Sequence, residues 1–173
     1  MSYINCFSDE VLEGWIGDPV EQISLHCYSD ADFAGCRLTK RSTTGGFCCF
    51  EGPNTFWPIG YVSKRQTAVS HSTPEAELVA ADYVVRSLGV PMMDLAQVIL
   101  SRPPVLHFHE DNQAAIAVIR SGRNPTMKHM GRTHNVSLAW LHERFVDEAS
   151  LYKLHYERSE RMRADVFTKG FVN

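Results

Sequence analysis

The fold that this sequence predicts depends on residues 25–35, which read Leu25-His26-Cys27-Tyr28-Ser29-Asp30-Ala31-Asp32-Phe33-Ala34-Gly35. By the two-residue period of a strand, Leu25, Cys27 and Ser29 share one face, whereas Asp30 lies on the other. The strand therefore ends in a carboxylate near the predicted core, a position that solvent, a cation or a partner must neutralise. A turn explains the same residues, because Asp and Gly favour turns. The choice depends on whether matching carboxylates occur later in the chain.

The composition predicts one soluble globular domain. The chain has 173 residues, of which 44% are hydrophobic and 21% charged, and this length suffices for a sizeable core. No window reaches the roughly 20 apolar residues of a membrane span, and the N-terminus lacks the pattern of a signal peptide. We therefore expect no membrane association.

The cysteines and the charge exclude two further classes. The five cysteines form no C-x-x-C pair, so neither a disulfide framework nor a zinc knuckle is indicated, and an intracellular setting is expected. The net charge is -3, which does not indicate a strong nucleic-acid binder. However, residues 120–169 contain ten Lys or Arg and six Asp or Glu, so the C-terminal third is locally basic. An ordinary solvated surface explains this distribution equally well.

The periodicity predicts one mixed α/β sheet with helices on its faces. Three strands form an antiparallel meander, a capped helix begins at Thr73, and two later strands alternate with helices. We expect strands at 23–29, 47–50, 55–63, 105–110 and 150–156, and helices at 73–88, 91–100, 114–120, 137–148 and 159–171, with Gly89 ending the first helix. Residues 1–21 are interpreted as an N-terminal extension or connection remnant, and residues 22–173 as the domain.

Four acids stand where local structure gives little reason for them. Asp30 and Asp111 each follow a strand, whereas Glu77 and Asp165 lie among apolar residues of predicted helices. Ligands of open α/β sheets gather outside the carboxyl ends of the strands. Hard divalent cations prefer carboxylate oxygens, and two such ions clamp the oxygens of an in-line displacement. The four acids therefore predict a divalent-metal site if the two strands are adjacent and parallel.

Four motifs in order carry a resemblance to a known family. They are Tyr28-Ser29-Asp30-Ala31-Asp32-Phe33-Ala34-Gly35, Ser63-Lys64-Arg65-Gln66-Thr67 with Ser72-Thr73-Pro74-Glu75-Ala76-Glu77-Leu78, Glu110-Asp111-Asn112-Gln113-Ala114-Ala115-Ile116, and Ala164-Asp165-Val166-Phe167-Thr168-Lys169. This set resembles the ribonuclease H domain of copia-type (Ty1/copia) retrotransposon polyproteins over roughly residues 22–171. The family often has Trp in place of Phe33 and an acid in place of Cys36.

The resemblance implies a ribonuclease H-like fold, a five-stranded mixed sheet flanked by helices. It also implies cleavage of the RNA strand of an RNA·DNA hybrid by two Mg²⁺ or Mn²⁺ ions. The ligands then correspond to Asp30, Glu77, Asp111 and Asp165. A reverse transcriptase domain in the parent polyprotein is the implied partner, and the isolated domain is expected to be monomeric. The expected location is the cytoplasm, a virus-like particle or the nucleus.

The loop at 127–134 resembles the family's R-T-K-H segment, where related nucleases have a catalytic His. His134 follows Arg132-Thr133 as in the family and is the candidate, although His129 follows Lys128 and competes for the same role. An exposed loop His without a function explains either residue equally well.

Other side chains have competing interpretations. The candidates for nucleic-acid contacts are Lys64, Arg65, Asn112, Gln113, Lys128 and Arg132, although Asn112 and Gln113 equally suit a helix cap. Asp32 is interpreted as a turn acid, and Glu110 is expected on the strand face opposite Asp111. His107 and His109 share the face of Asp111, but the sequence shows no third ligand for zinc.

Two rival functions remain open from the sequence. The first is a non-catalytic nucleic-acid-binding or spacer module that retains the fold, although all four acids are present. The second is an integrase or transposase of the same superfamily, which usually needs two Asp and then a Glu on a helix. The order here is Asp, Glu, Asp, Asp, and this order favours the ribonuclease H interpretation.

Overall fold

A five-stranded mixed sheet forms the centre of the molecule. The computed structural model describes residues 13–169, and the sheet order is β3-β2-β1-β4-β5. The strands are β1 (Ser24–Asp32), β2 (Thr43–Gly52), β3 (Thr55–Arg65), β4 (Leu106–Glu110) and β5 (Tyr152–Tyr156), and the helices are α1 (Thr73–Val84), α2 (Val90–Leu100), α3 (Gln113–Ser121), α4 (Met130–Thr133) and α5 (Leu138–His142). The predicted mixed sheet with flanking helices is confirmed.

β1 is the middle strand and determines where the acids lie. It pairs antiparallel with β2 and parallel with β4, with Tyr28 opposite His109 in the register. β4 then pairs parallel with β5. The strand that contains Asp30 and the strand that precedes Asp111 are therefore adjacent and parallel. This is the arrangement that the metal hypothesis required.

α1 begins as the sequence predicts, but it does not end at Gly89. The Ser72 side chain accepts a hydrogen bond from the Glu75 backbone N–H, and Pro74 lies in the first turn. A π-helical turn over Val85–Gly89 then joins α1 to α2, so the helix is continuous. Gly89 has ordinary helical dihedrals, and a Cβ there would lie 2.9 Å from a methyl carbon of Leu106. This glycine permits close packing of helix on sheet and is not a cap, so the predicted stop was wrong.

The continuous helix Thr73–Leu100 is apolar. By length and composition alone it could cross a membrane, with a mean hydropathy of 1.3 over its most apolar window. Its first part instead buries Leu78, Ala81 and Val84 in the main core, together with Leu25 and Phe108 of the sheet. We therefore interpret it as the core helix of this α/β domain.

The last segment is less helical than the sequence predicts. Instead of a helix at 159–171, short 3₁₀ turns occupy Ser159–Arg161 and Asp165–Phe167, and residues 170 and 171 lie outside the described part. Met162 between them is extended, with ψ of 100°, because it packs with Ala164 on the second face of the sheet beside Tyr28. Tertiary burial of these residues outweighs local helix propensity.

A backbone bridge to β3 holds the segment that precedes the sheet. Trp15 exchanges backbone hydrogen bonds with Phe56 of β3, at 2.8 and 2.9 Å. A 3₁₀ turn, Val20–Gln22, then leads into β1. The division of the chain at residue 21 stays a prediction, and residues 1–12 lie outside the described part.

Candidate metal centre and its surroundings

Three of the four predicted acids converge. One carboxylate oxygen from each of Asp30, Glu77 and Asp111 lies within 4.8 Å of the other two. Asp30 and Asp111 come together because β1 and β4 are parallel neighbours. Glu77 reaches them because α1 packs closely on β1 through small side chains, with Ala76 and Ala80 buried against Ala31. We call these three residues the carboxylate group.

The carboxylate group has few internal means of neutralising its charge. Glu77 is only 3% exposed, and its Oε2 has no hydrogen-bond partner. Burial, followed by the charges of Glu110, Asp30 and Asp111, raises the pKa of Glu77 far above its usual range. Burial also raises the pKa of Asp30, and the charges of Asp111 and Asp165 act in the same direction. A cation between these oxygens would remove the cost of ionising them.

Glu110 belongs to this environment, although the sequence analysis assigned it no role. It is fully buried, with Oε2 accepting from the Ser29 hydroxyl at 2.8 Å and Oε1 accepting from the Asn112 N–H at 3.2 Å. Burial and the charges of Asp111 and Asp30 raise its pKa. The signal was present in β4, since Leu106, Phe108 and Glu110 share the two-residue period of buried positions. A carboxyl on that face meets the helix that carries Glu77.

Asp165 lies beside the carboxylate group but not within it. Its side chain forms an ion pair with Lys169. Thr168 links the two parts, because its hydroxyl contacts both the Asp30 carboxylate and the Asp165 carbonyl. The charge of Asp165 nevertheless contributes to the raised pKa of Asp30. Its role as a fourth ligand stays a prediction.

The two candidate histidines meet at a different carboxylate. The Nε2 atoms of His134 and His129 lie 2.9 and 3.1 Å from Oε1 of Glu75, which precedes Glu77 by two residues in α1. The His134 side chain is fully buried, so it is not the exposed loop His considered above. Burial opposes ionisation of Glu75, but these hydrogen bonds outweigh it and hold the pKa of Glu75 below its usual value. The catalytic role of His134 stays a prediction.

The predicted nucleic-acid contacts occupy several surfaces. Lys64 donates to the Tyr83 hydroxyl at 3.2 Å and lies 4.4 Å from the centre of that ring. The Asn112 side chain accepts from the Ala115 N–H at 3.0 Å, so it does cap α3. The remaining candidates, namely Arg65, Gln113, Lys128 and Arg132, are exposed.

A second set of histidines lies side by side on β1, β4 and β5. His26 Nδ1 lies 2.9 Å from His109 Nε2, and His107 Nδ1 lies 3.0 Å from His155 Nε2, with the rings of each pair stacked. Burial and the neighbouring rings lower the pKa of His107 to about 4 and that of His109 to about 3. The additional histidines that the zinc alternative lacked are therefore present, but one nitrogen of each ring is paired with another ring.

Comparisons with known proteins agree with this geometry. No family model matches the chain. The Pol polyprotein of transposon TNT 1-94 from Nicotiana tabacum is 31% identical over 153 residues, which cover 88% of this chain and 10% of that polyprotein. The uncharacterized mitochondrial protein AtMg00810 of Arabidopsis thaliana is 45% identical over 56 residues, which cover 32% of this chain and 22% of that protein. The chain thus matches only a small part of each relative.

A solved structure supports the fold independently. The N-terminal ribonuclease H domain of Rv2228c from Mycobacterium tuberculosis superposes with a TM-score of 0.50, covering 84% of this chain and 91% of that one, at 10% identity. At such low identity, the structural similarity supports only the shared fold. Together these comparisons show that the chain has the ribonuclease H fold and is homologous to part of the Pol polyprotein of a copia-type retrotransposon, as the motifs predicted.

Proposed function

We propose that this domain is a divalent-metal-dependent endonuclease that hydrolyses the RNA strand of RNA·DNA hybrids during retroelement reverse transcription. The observation that carries the proposal is the convergence of Asp30, Glu77 and Asp111 from three separate elements. The ribonuclease H fold and the homology to a Pol polyprotein support it. A reverse transcriptase domain in the parent polyprotein is the proposed partner.

The residues present fit Mg²⁺ or Mn²⁺. All donors in the carboxylate group are oxygens, which hard cations prefer, and the unpartnered Oε2 of Glu77 is a buried acceptor without a donor. Asp30, Glu77 and Asp111 would hold one ion, and a second would need Asp165 to leave Lys169. When bound, the two ions supply an activated water and stabilisation of the leaving 3′-oxygen.

The surrounding residues hold the carboxylates in place. The Thr168 hydroxyl orients the Asp30 carboxylate. Ser29 and the Asn112 N–H hold the Glu110 side chain beside Glu77. The Ser159 hydroxyl donates to Oδ2 of Asp111 at 2.6 Å. Each of these contacts reduces the freedom of an acid before the substrate arrives, and such outer contacts tune metal sites.

The substrate would bind along exposed basic residues. Arg65, Lys128 and Arg132 are exposed and positively charged, so they suit phosphate contacts. Gln113 is exposed beside Asp111, where it suits the minor groove that displays the 2′-hydroxyls of RNA.

The test is hybrid cleavage by the full chain with millimolar Mg²⁺, compared with Asp111→Asn. The matched control is Asp94→Asn, which removes an exposed acid outside the carboxylate group. We expect Asp111→Asn to lose more than about 100-fold in rate and the control to keep full activity. Full cleavage by Asp111→Asn would refute the proposal. Hybrid binding without metal-dependent cleavage by the unmodified chain would instead favour the non-catalytic module.

A further inference from the structure

We propose that His71, Glu75 and His129 form a second metal site that takes Zn²⁺, separate from the carboxylate group. One potential ligand atom from each residue lies within 4.8 Å of the other two. Within residues 13–169, this group and the carboxylate group are the two clusters that meet this criterion. The site uses none of the three acids of the carboxylate group, although His129 is also one of the two candidates for the catalytic histidine.

The distances are close to those of a bound zinc ion. Zn–N and Zn–O bonds are about 2.0–2.2 Å, so two ligands of a tetrahedral ion lie roughly 3.3 Å apart. The His129 Nε2 atom is already 3.1 Å from the Glu75 Oε1 atom. The His71 ring stands edge-on to the His129 ring, with centroids 5.3 Å apart. The ring nitrogen of the exposed His71 lies within 4.8 Å of both other ligands, so rotation of this side chain would have to complete the three-ligand set.

Burial and hydrogen bonds fix the position of the Glu75 side chain. Its side chain is only 2% exposed, an unusual position for a carboxylate. Oε1 accepts from the buried His134, and Oε2 accepts from the His71 backbone N–H at 3.3 Å. His134 therefore acts as a positioning residue that holds Glu75 from the interior. On the other side, His71 is exposed, which leaves a fourth coordination position open to water.

The donor types select zinc over magnesium. Two imidazole nitrogens and one carboxylate are ligands that Zn²⁺ favours, whereas Mg²⁺ favours oxygens alone. The neighbouring carboxylate group has the reverse composition and suits Mg²⁺. The stacked histidines His26, His107, His109 and His155 are a weaker candidate, because one nitrogen of each ring already pairs with another ring and they form no such three-ligand cluster among the described residues.

Zinc at this site would join two separate segments. His71 lies two residues before α1, the helix that carries Glu77, and His129 follows Lys128 and directly precedes α4, which contains Arg132. Hydrogen bonds to Glu75, the contact between the His71 and His129 rings and the burial of Met130 with Leu78 already join these segments. Zinc would add coordinate bonds to that link and should raise the thermal stability of the chain.

The test is titration of the full chain with Zn²⁺ after chelator treatment. The buffer contains excess Mg²⁺, which is meant to occupy the carboxylate group throughout the titration. Binding is measured by calorimetry, melting temperature is followed in parallel, and Co²⁺ absorption reports nitrogen coordination. The variants are His71→Ala, His129→Ala and the two combined. Two controls address the other clusters, namely His107→Ala with His155→Ala, and Asp111→Asn.

We expect one Zn²⁺ per chain with a rise in melting temperature. The affinity should fall at least about 10-fold in each single variant and should be unchanged in both controls. His71 is exposed, so His71→Ala alone decides the question if a variant of His129 fails to fold in circular dichroism. Equal Zn²⁺ affinity in His71→Ala and the unmodified chain would overturn the proposal. Loss of binding in the His107→Ala and His155→Ala control would also overturn it.

Discussion

Replacing Glu77 by Gln should remove much of the pH dependence of stability in the metal-free protein. Gln keeps the size of the side chain but cannot ionise. Glu77 is 3% exposed, and burial together with Glu110, Asp30 and Asp111 raises its pKa far above the usual range. The folded chain therefore retains a proton at neutral pH that the unfolded chain has released.

The sign and the size follow from this difference. Consider a carboxyl group whose pKa is higher in the folded chain than in the unfolded chain. Its stabilising contribution is complete below its own pKa in the unfolded chain and is lost as the pH rises toward its pKa in the folded chain. Each proton held only by the folded state changes the free energy of unfolding by about 1.4 kcal/mol per pH unit. Between about pH 7 and pH 8.5, Glu77 alone should cost the unmodified protein about 2 kcal/mol.

The assay is urea unfolding in the presence of EDTA across this pH range. The pH range from about 7 to 8.5 lies above the usual pKa of histidine in an unfolded chain. The pKa of Cys36 is lowered to about 7, but its contribution is common to both proteins and cancels when their free energies of unfolding are subtracted. We expect Glu77→Gln to become progressively more stable than the unmodified chain as the pH rises. Parallel curves for the two proteins would refute this account of Glu77.

Added Mg²⁺ provides the second half of the same test. If the carboxylate group holds the ion, Mg²⁺ at 100 times its dissociation constant should stabilise the unmodified chain by about 2.7 kcal/mol and flatten its pH dependence. The stabilisation should be strongly reduced in Glu77→Gln, because one ligand has lost its charge. Equal stabilisation of both proteins by Mg²⁺ would place the ion elsewhere.

Three further substitutions test the packing and the histidines. Gly46→Ala would place a Cβ 2.6 Å from Val84 and 2.7 Å from Val62, so urea unfolding should show a loss of about 1–3 kcal/mol. Gln66→Ala removes a buried amide that donates to a hydroxyl of β2 and a carbonyl of α1, and the same measurement should show a loss of about 1–3 kcal/mol. Burial and neighbouring histidines lower the pKa of His109 to about 3. The free energy of unfolding therefore falls as the pH drops below the pKa that this histidine has in the unfolded chain. His109→Gln should weaken that fall by up to about 1.4 kcal/mol per pH unit in acid unfolding, and an unchanged slope would contradict the assignment.

Local patterns in the sequence predicted most of the elements. The alternation before Asp30 placed Ser29 and Asp30 on opposite faces, and Ser72 caps α1 as the spacing indicated. However, β1 continues to Asp32, two residues beyond the expected end at Asp30. These signals act over a few residues, so they can be read without knowledge of the tertiary arrangement. The helix end predicted at Gly89 and the helix predicted at 159–171 failed because long-range packing outweighed local propensity at both places.

The sequence by itself determined the order of the elements and nominated four acids, because period, caps and motif spacing are local properties of the chain. The structure brings three of the four together. Only the tertiary structure decided that Glu110 faces Glu77, that Asp165 pairs with Lys169, and that His129 and His134 share the carboxylate of Glu75. These relations join residues that are distant in the chain. They depend on strand register and helix packing, which no local pattern encodes.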